Sequence, residues 1–190
     1  NAVNRQYRTI IITPAPINLR LDNPNINLDK VYDSLDVINP DVSYDGPERD
    51  VIYTYERIGQ TSDYVTDNRA NVGKYRLTIS LGPSASNNYS YNPLDDDITI
   101  EFEITRREIL LTSNPTSKVY DGKVWKQALD NSYVSSSTPI VTGHEFSGTI
   151  QTLSMNADRY DAPEMFDWYS NYRIVDADLV DVTDNYTVLT

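Results

Sequence analysis

His144 is the single histidine, and there is no cysteine, so side chains able to carry catalysis or bind metal are scarce. One imidazole excludes a metal site built from several histidines. Its position, after Gly143 and just before a strand-like run, fits a solvated or hydrogen-bonded structural role. Ser135-Ser136-Ser137, ahead of Pro139, reads as a loop and not as a set of nucleophiles. Asp95-Asp96-Asp97 is the densest acidic run, but it lacks the EF-hand spacing, and consecutive strand residues cannot all face one ion. It is expected to be a solvated turn before Ile98. Asp176, Asp178, Asp181 and Asp184 have a spacing better suited to a calcium-binding loop. Lys118 and Asn185 have the early-Lys, late-Asn order that an intramolecular isopeptide cross-link would need. Met165-Phe166-Asp167-Trp168-Tyr169, with Tyr160 and Tyr172, offers rings that could stack on sugars or fill a core. No pair of carboxylates is set in a cleft for glycoside hydrolysis. The expectation is a chain with no catalytic, cofactor-binding or metal residues, and not an enzyme.

Repetition is the stronger signal. Lys30-Val31-Tyr32-Asp33 returns as Lys118-Val119-Tyr120-Asp121. Ahead of each copy stands the frame I-T-x-x-x-I, at Ile12-Thr13 to Ile17 and at Ile104-Thr105 to Ile109. Asn23-Pro24 and Asn114-Pro115 lie between frame and motif. Three markers in one order, recurring after about 90 residues, indicate a duplicated unit of domain size. The predicted modules are residues 1–104 and 105–190. Residues 6–17 take the frame of a closing strand from a preceding repeat, and the second module stops where its own closing strand is expected. That reading makes the chain a segment of a longer array.

Composition narrows the classes of partner. The chain carries a net charge of −12, and both halves share the sign. Such acidity repels a phosphate backbone or an anionic bilayer, so nucleic-acid binding is not expected. Like-charged modules also resist self-association, which favours a monomer. No apolar run approaches the length that spans a bilayer, so no membrane insertion is expected. Tyrosine, at 15 copies against 3 Phe and 2 Trp, suits half-buried strand positions where the ring packs and the hydroxyl meets water.

Period-two alternation carries the structural reading. From Val72 to Leu81 it sets Tyr75, Leu77, Ile79 and Leu81 on one face, and Ile98 to Ile104 repeats it. Val51 to Tyr55, Phe146 to Leu153 and Tyr172 to Val175 are further predicted strands. Helix-like spacing is confined to Val124 to Leu129 and Pro163 to Trp168. The predicted fold is all-β: two tandem Ig-like antiparallel β-sandwich modules. The alternative is a pair of β-grasp-like modules with one short helix near Val124 to Leu129.

Lys118-Val119-Tyr120-Asp121-Gly122 resembles the opening turn of the YDG and MBG repeats of bacterial surface proteins. Gly143 to Thr149 is similar to the mid-unit strand of those repeats. Ile174-Val175-Asp176-Ala177-Asp178, followed by Asp181-Val182-Thr183-Asp184-Asn185-Tyr186, resembles their "IVDADGNDVTDNY" run. Leu179-Val180 stands where Gly-Asn is usual. The first module departs further, because Ser34 replaces the turn glycine and Asp45-Gly46 offers a second turn. Asp33-Ser34 and Asp45-Gly46 are both open as the counterpart of Asp121-Gly122. The resemblance implies an extracellular, cell-wall-attached or secreted bacterial adhesin or stalk whose repeats have no known catalytic residues. The expected role is a semi-rigid spacer that presents a distal binding domain, with host or bacterial surface glycans or proteins as partners. A carbohydrate-binding or accessory module of a secreted polysaccharide-degrading enzyme is the alternative.

Overall fold

The computed structural model describes residues 8–59, 70–84, 87–112, 117–152, 166–167 and 172–189. The first eight strands are β1 (Ala15–Pro16), β2 (Leu19–Leu21), β3 (Lys30–Val31), β4 (Val42–Tyr44), β5 (Val51–Arg57), β6 (Gly73–Leu81), β7 (Tyr89–Ser90) and β8 (Ile98–Thr105). Then come β9 (Arg107–Leu110), β10 (Lys126–Leu129), β11 (Glu145–Thr152), β12 (Phe166–Asp167), β13 (Arg173–Val175) and β14 (Tyr186–Leu189). The fold is all-β. One α-helical turn, Pro93–Asp96, and short 3-10 turns are the helical elements among the described residues. No helix among those residues is long and apolar enough to cross a membrane.

The contacts divide into two compact units. The first comprises Asn1–Leu28, Val37–Arg69 and Lys74–Phe102; the second comprises Asp29–Asp36, Ala70–Gly73 and Glu103–Thr190.

In the first unit β5 and β6 pair antiparallel, Val51 opposite Leu81 and Arg57 opposite Tyr75, and β8 lies on the other side of β6. The alternation predicted for β6 is realised: Tyr75, Leu77, Ile79 and Leu81 are all buried. A strand reads this way because successive side chains leave opposite faces. Tyr75 stacks on Phe102 with ring centroids 5.3 Å apart, and Tyr55 meets Phe102 edge-on at 6.2 Å. The hydroxyls of the β5 tyrosines find protein partners, and Tyr55 is itself buried. The Tyr53 hydroxyl donates to the Pro40 carbonyl and that of Tyr55 to Asn39 Oδ1.

In the second unit β11 is central. It pairs antiparallel with β10 along Lys126–Leu129, with β12 at Gln151–Thr152, and with β13 at Glu145–Ser147. Phe146, Ile150, Leu129 and Ile174 are buried. The helix expected over Val124 to Leu129 is therefore a correction. Lys126-Gln127-Ala128-Leu129 have good helix propensity, but the ladder to Thr149 and Ile150 decides their conformation, as tertiary pairing commonly does. The feature that favoured a β-grasp-like module goes with it. Of the second predicted helix, Phe166 and Asp167 form a strand, and the rest lies outside the described residues.

The expected antiparallel pairing holds for these ladders, but three pairs are parallel. β1 runs parallel to β7, β9 to β14, and β3 to the end of β8. Two of these bring the opening strand of a unit beside an Asn-Tyr pair, Asn88-Tyr89 and Asn185-Tyr186, with Ala15 opposite Tyr89 and Arg107 opposite Tyr186. The I-T-x-x-x-I frame thus has the same register in both units, with Ile17 and Ile109 both buried.

Candidate functional site

The Lys-Val-Tyr-Asp motif forms one turn twice. In the first copy Lys30 Nζ lies 2.5 Å from Asp33 Oδ1 and donates to the Leu35 carbonyl at 2.8 Å, while the Leu35 amide donates to Asp33 Oδ1 at 3.0 Å. In the second, Lys118 Nζ lies 2.6 Å from Asp121 Oδ1 and donates to the Lys123 carbonyl at 3.2 Å, with the Lys123 amide on Asp121 Oδ1 at 3.0 Å. The residue after the aspartate is left-handed in each, Ser34 at φ 64° and Gly122 at φ 73°. Asp45-Gly46 is different, because Asp45 accepts from Asn18 and Arg20 across strands. Asp33-Ser34 is therefore the structural counterpart of Asp121-Gly122.

Hydrogen bonds set the charge state of these carboxylates. Lys118 and the Lys123 amide hold Asp121 below the usual carboxylate value. Burial alone would raise Asp33, but Lys30 and the Leu35 amide together bring it below that value as well.

The two turns differ in what covers the tyrosine. Tyr32 is 2% exposed and Tyr120 is 65% exposed. The Tyr32 ring meets Tyr186 edge-on at 5.4 Å and lies 6.0 Å from the His144 ring, all within the second unit. Its amide donates to the Thr105 carbonyl at 2.9 Å, extending the β3–β8 ladder. The Tyr186 hydroxyl sits 2.7 Å from His144 Nδ1 and accepts from the Val141 amide. Asn185 is buried beside it, accepting from the Val72 amide and donating to Asn71. Burial raises the pKa of both the Tyr32 and Tyr186 hydroxyls and lowers that of His144, which keeps the imidazole neutral.

The lone histidine is thus a buried hydrogen-bonding member of an aromatic socket for Tyr32. The sequence could place each of these residues but not bring them together. The one available signal was that Tyr32 belongs to the duplicated K-V-Y-D motif.

The remaining candidates resolve locally. Asp176 Oδ1 accepts from the Asp178 and Val180 amides, and Asp181 pairs with Arg173 and accepts from Thr183. Those carboxylates close their own loop, and no cluster suited to a metal occurs among the described residues. Asp95, Asp96 and Asp97 form or border the helical turn that starts after Asn92; Asp96 accepts the Asn92 amide at 2.6 Å and Asp97 binds the Tyr91 hydroxyl. Burial together with Asp97 pushes Tyr91 up to about 12. Lys118 is exposed and engaged by Asp121, whereas Asn185 is buried with Asn71, so the structure does not bring the isopeptide pair together. Ser135 and Ser137 bond each other in a turn. Of the aromatic run, Tyr172 stacks on Phe146 at 6.1 Å, while Tyr160, Met165, Trp168 and Tyr169 lie outside the described residues. No protein-family model, curated protein or solved structure matches the chain.

Two measurements check this geometry. Leu179 is 71% exposed at φ 63°. Left-handed backbone costs an L-residue about 1–2 kcal/mol, and glycine returns part of that as unfolded-chain entropy. Leu179→Gly should therefore raise stability by about 0.5–1 kcal/mol in urea denaturation. His144 protonates more readily in the unfolded chain, near 6.5, than in the fold. The stability its burial contributes is complete above that value and is lost as pH falls through the lower folded value. The urea midpoint should begin to drop as pH falls below the unfolded value and on through the lower folded one, and His144→Gln should remove that step.

Proposed function

We propose that the chain is a non-catalytic repeat region of a bacterial surface protein, a semi-rigid stalk or spacer that presents a distal binding domain. One observation carries the reading: a single Lys-Asp turn built twice with the same contacts, each following a unit-opening frame with a common register. Repetition of a structural element, with its charged groups consumed inside the turn, suits a module whose work is to be stacked. The acidic surface adds solubility and disfavours nucleic acid and anionic lipid as partners. Surface glycans or proteins are the partner classes this reading leaves for an adhesive contribution.

Antibodies raised against the chain should label intact source cells, and protease shaving of those cells should release its peptides. Labelling that appears only after lysis would overturn the proposal. A glycan array run beside it separates spacer from carbohydrate-binding module, because sugar binding lost on Trp168→Ala would make the ligand, and not spacing, the function.

A further inference from the structure

One turn of the pair is seated and the other is bare. Lys118, Val119 and Tyr120 form the same turn as Lys30, Val31 and Tyr32, yet Val119 is 89% and Tyr120 65% exposed. At the other end of the sequence the reverse holds. Ile10, Ile11 and Ile12 are 83%, 81% and 91% exposed, and they precede β1 in the frame that Phe102 to Ile104 occupies before β9. Phe102 and Ile104 are buried, and Ile104-Thr105 pairs in parallel with Lys30-Val31. The register shared by Ala15↔Tyr89 and Arg107↔Tyr186 makes Ile12-Thr13 the counterpart of Ile104-Thr105, and Tyr89 the counterpart of Tyr186. Tyr186 is buried under Tyr32; Tyr89 is 37% exposed. Where His144 flanks Tyr186, Gly46 lies against Tyr89, close enough that an added Cβ would come within 3.3 Å of its ring.

The first unit therefore carries the parts of a socket without an occupant among the described residues, and the second carries an occupant without a socket. The template for their union is the seated copy itself, with strand pairing, a tyrosine amide on a threonine carbonyl, and an edge-on ring contact.

We propose that two copies of this chain dock head to tail, with the Lys118–Lys123 turn of one seated on the first unit of the other. Lys118-Val119 would pair in parallel with Ile12-Thr13, the Tyr120 amide would donate to the Thr13 carbonyl, and the Tyr120 ring would meet the edge of Tyr89. Plug and socket are different surfaces, so the contact is heterologous and open-ended, and it adds copies in a row instead of closing a dimer. A turn that is already formed before docking loses little conformational freedom on binding. The net charge of −12 on each copy opposes approach at long range, so added salt should strengthen association by screening. The inference rests on the geometry of the two turns and not on the stalk reading; a chain that stays monomeric would remove it and leave that reading standing.

The test is sedimentation velocity of the full chain from dilute solution up to about 1 mM, the range expected for a small transient contact. Wild type should show concentration-dependent species that grow past the dimer and increase with salt. Tyr120→Ala lacks the plug, and Ile12→Lys lacks the socket edge. Both positions are exposed, and unchanged circular dichroism would verify folding. Each variant alone should remain monomeric, while an equal mixture should form a one-to-one dimer and nothing larger, because each supplies what the other lacks. A wild type that is monomeric throughout, or variants that still associate by themselves, would overturn the proposal.

Discussion

The Tyr32 ring, packed edge-on against Tyr186 and beside His144, is the contact on which the second unit's organisation depends. It gives residues 29–36 a place in that unit, completes the parallel pairing of β3 with the end of β8, and covers the hydroxyl–imidazole pair beneath it. An edge-to-face ring pair adds about 0.5–1.5 kcal/mol beyond the area it buries. The larger effect is desolvation. With water excluded, the bond between Tyr186 and His144 strengthens, while a charge on the imidazole becomes costly. The same burial that organises the unit thus gives its stability a dependence on pH.

The turn that delivers Tyr32 does not need the socket in order to form. Its counterpart at Lys118 to Lys123 has the same ion pair, the same amide-to-carboxylate bond and the same left-handed residue, with its tyrosine in solvent. Local chemistry is sufficient: the aspartate accepts the amide two residues on, and the lysine closes the other side. Docking is then a separate event that joins preformed parts. This division suits a repeated element, because one sequence can be folded everywhere and seated only where a partner is at hand.

Strand identity was legible in the sequence where one face is buried, as in β6, whose alternating tyrosine, leucine and isoleucine residues enter the core in the expected order. The recurrence of the I-T-x-x-x-I frame was legible too, but the parallel pairing of the strands it opens was not. The conformation of Lys126 to Leu129 was not, because β11 overrides the helical preference of those residues. Nor was the socket, since His144 is alone in the sequence and its role comes from Tyr186, 42 residues away. Four identical letters at 30–33 and 118–121 say that a turn recurs but not which tyrosine is covered. Leu179 shows the converse: its type does not announce the left-handed conformation that its backbone adopts and that glycine would favour.

Amide hydrogen exchange, resolved residue by residue in dilute solution, tests the central claim most directly. The Tyr32 amide, bonded to the Thr105 carbonyl under a buried ring, should exchange only through unfolding of the second unit, while the Tyr120 amide should exchange at close to the rate of an open chain. Equal protection of the two, or fast exchange at Tyr32, would contradict the account of one turn held in two states.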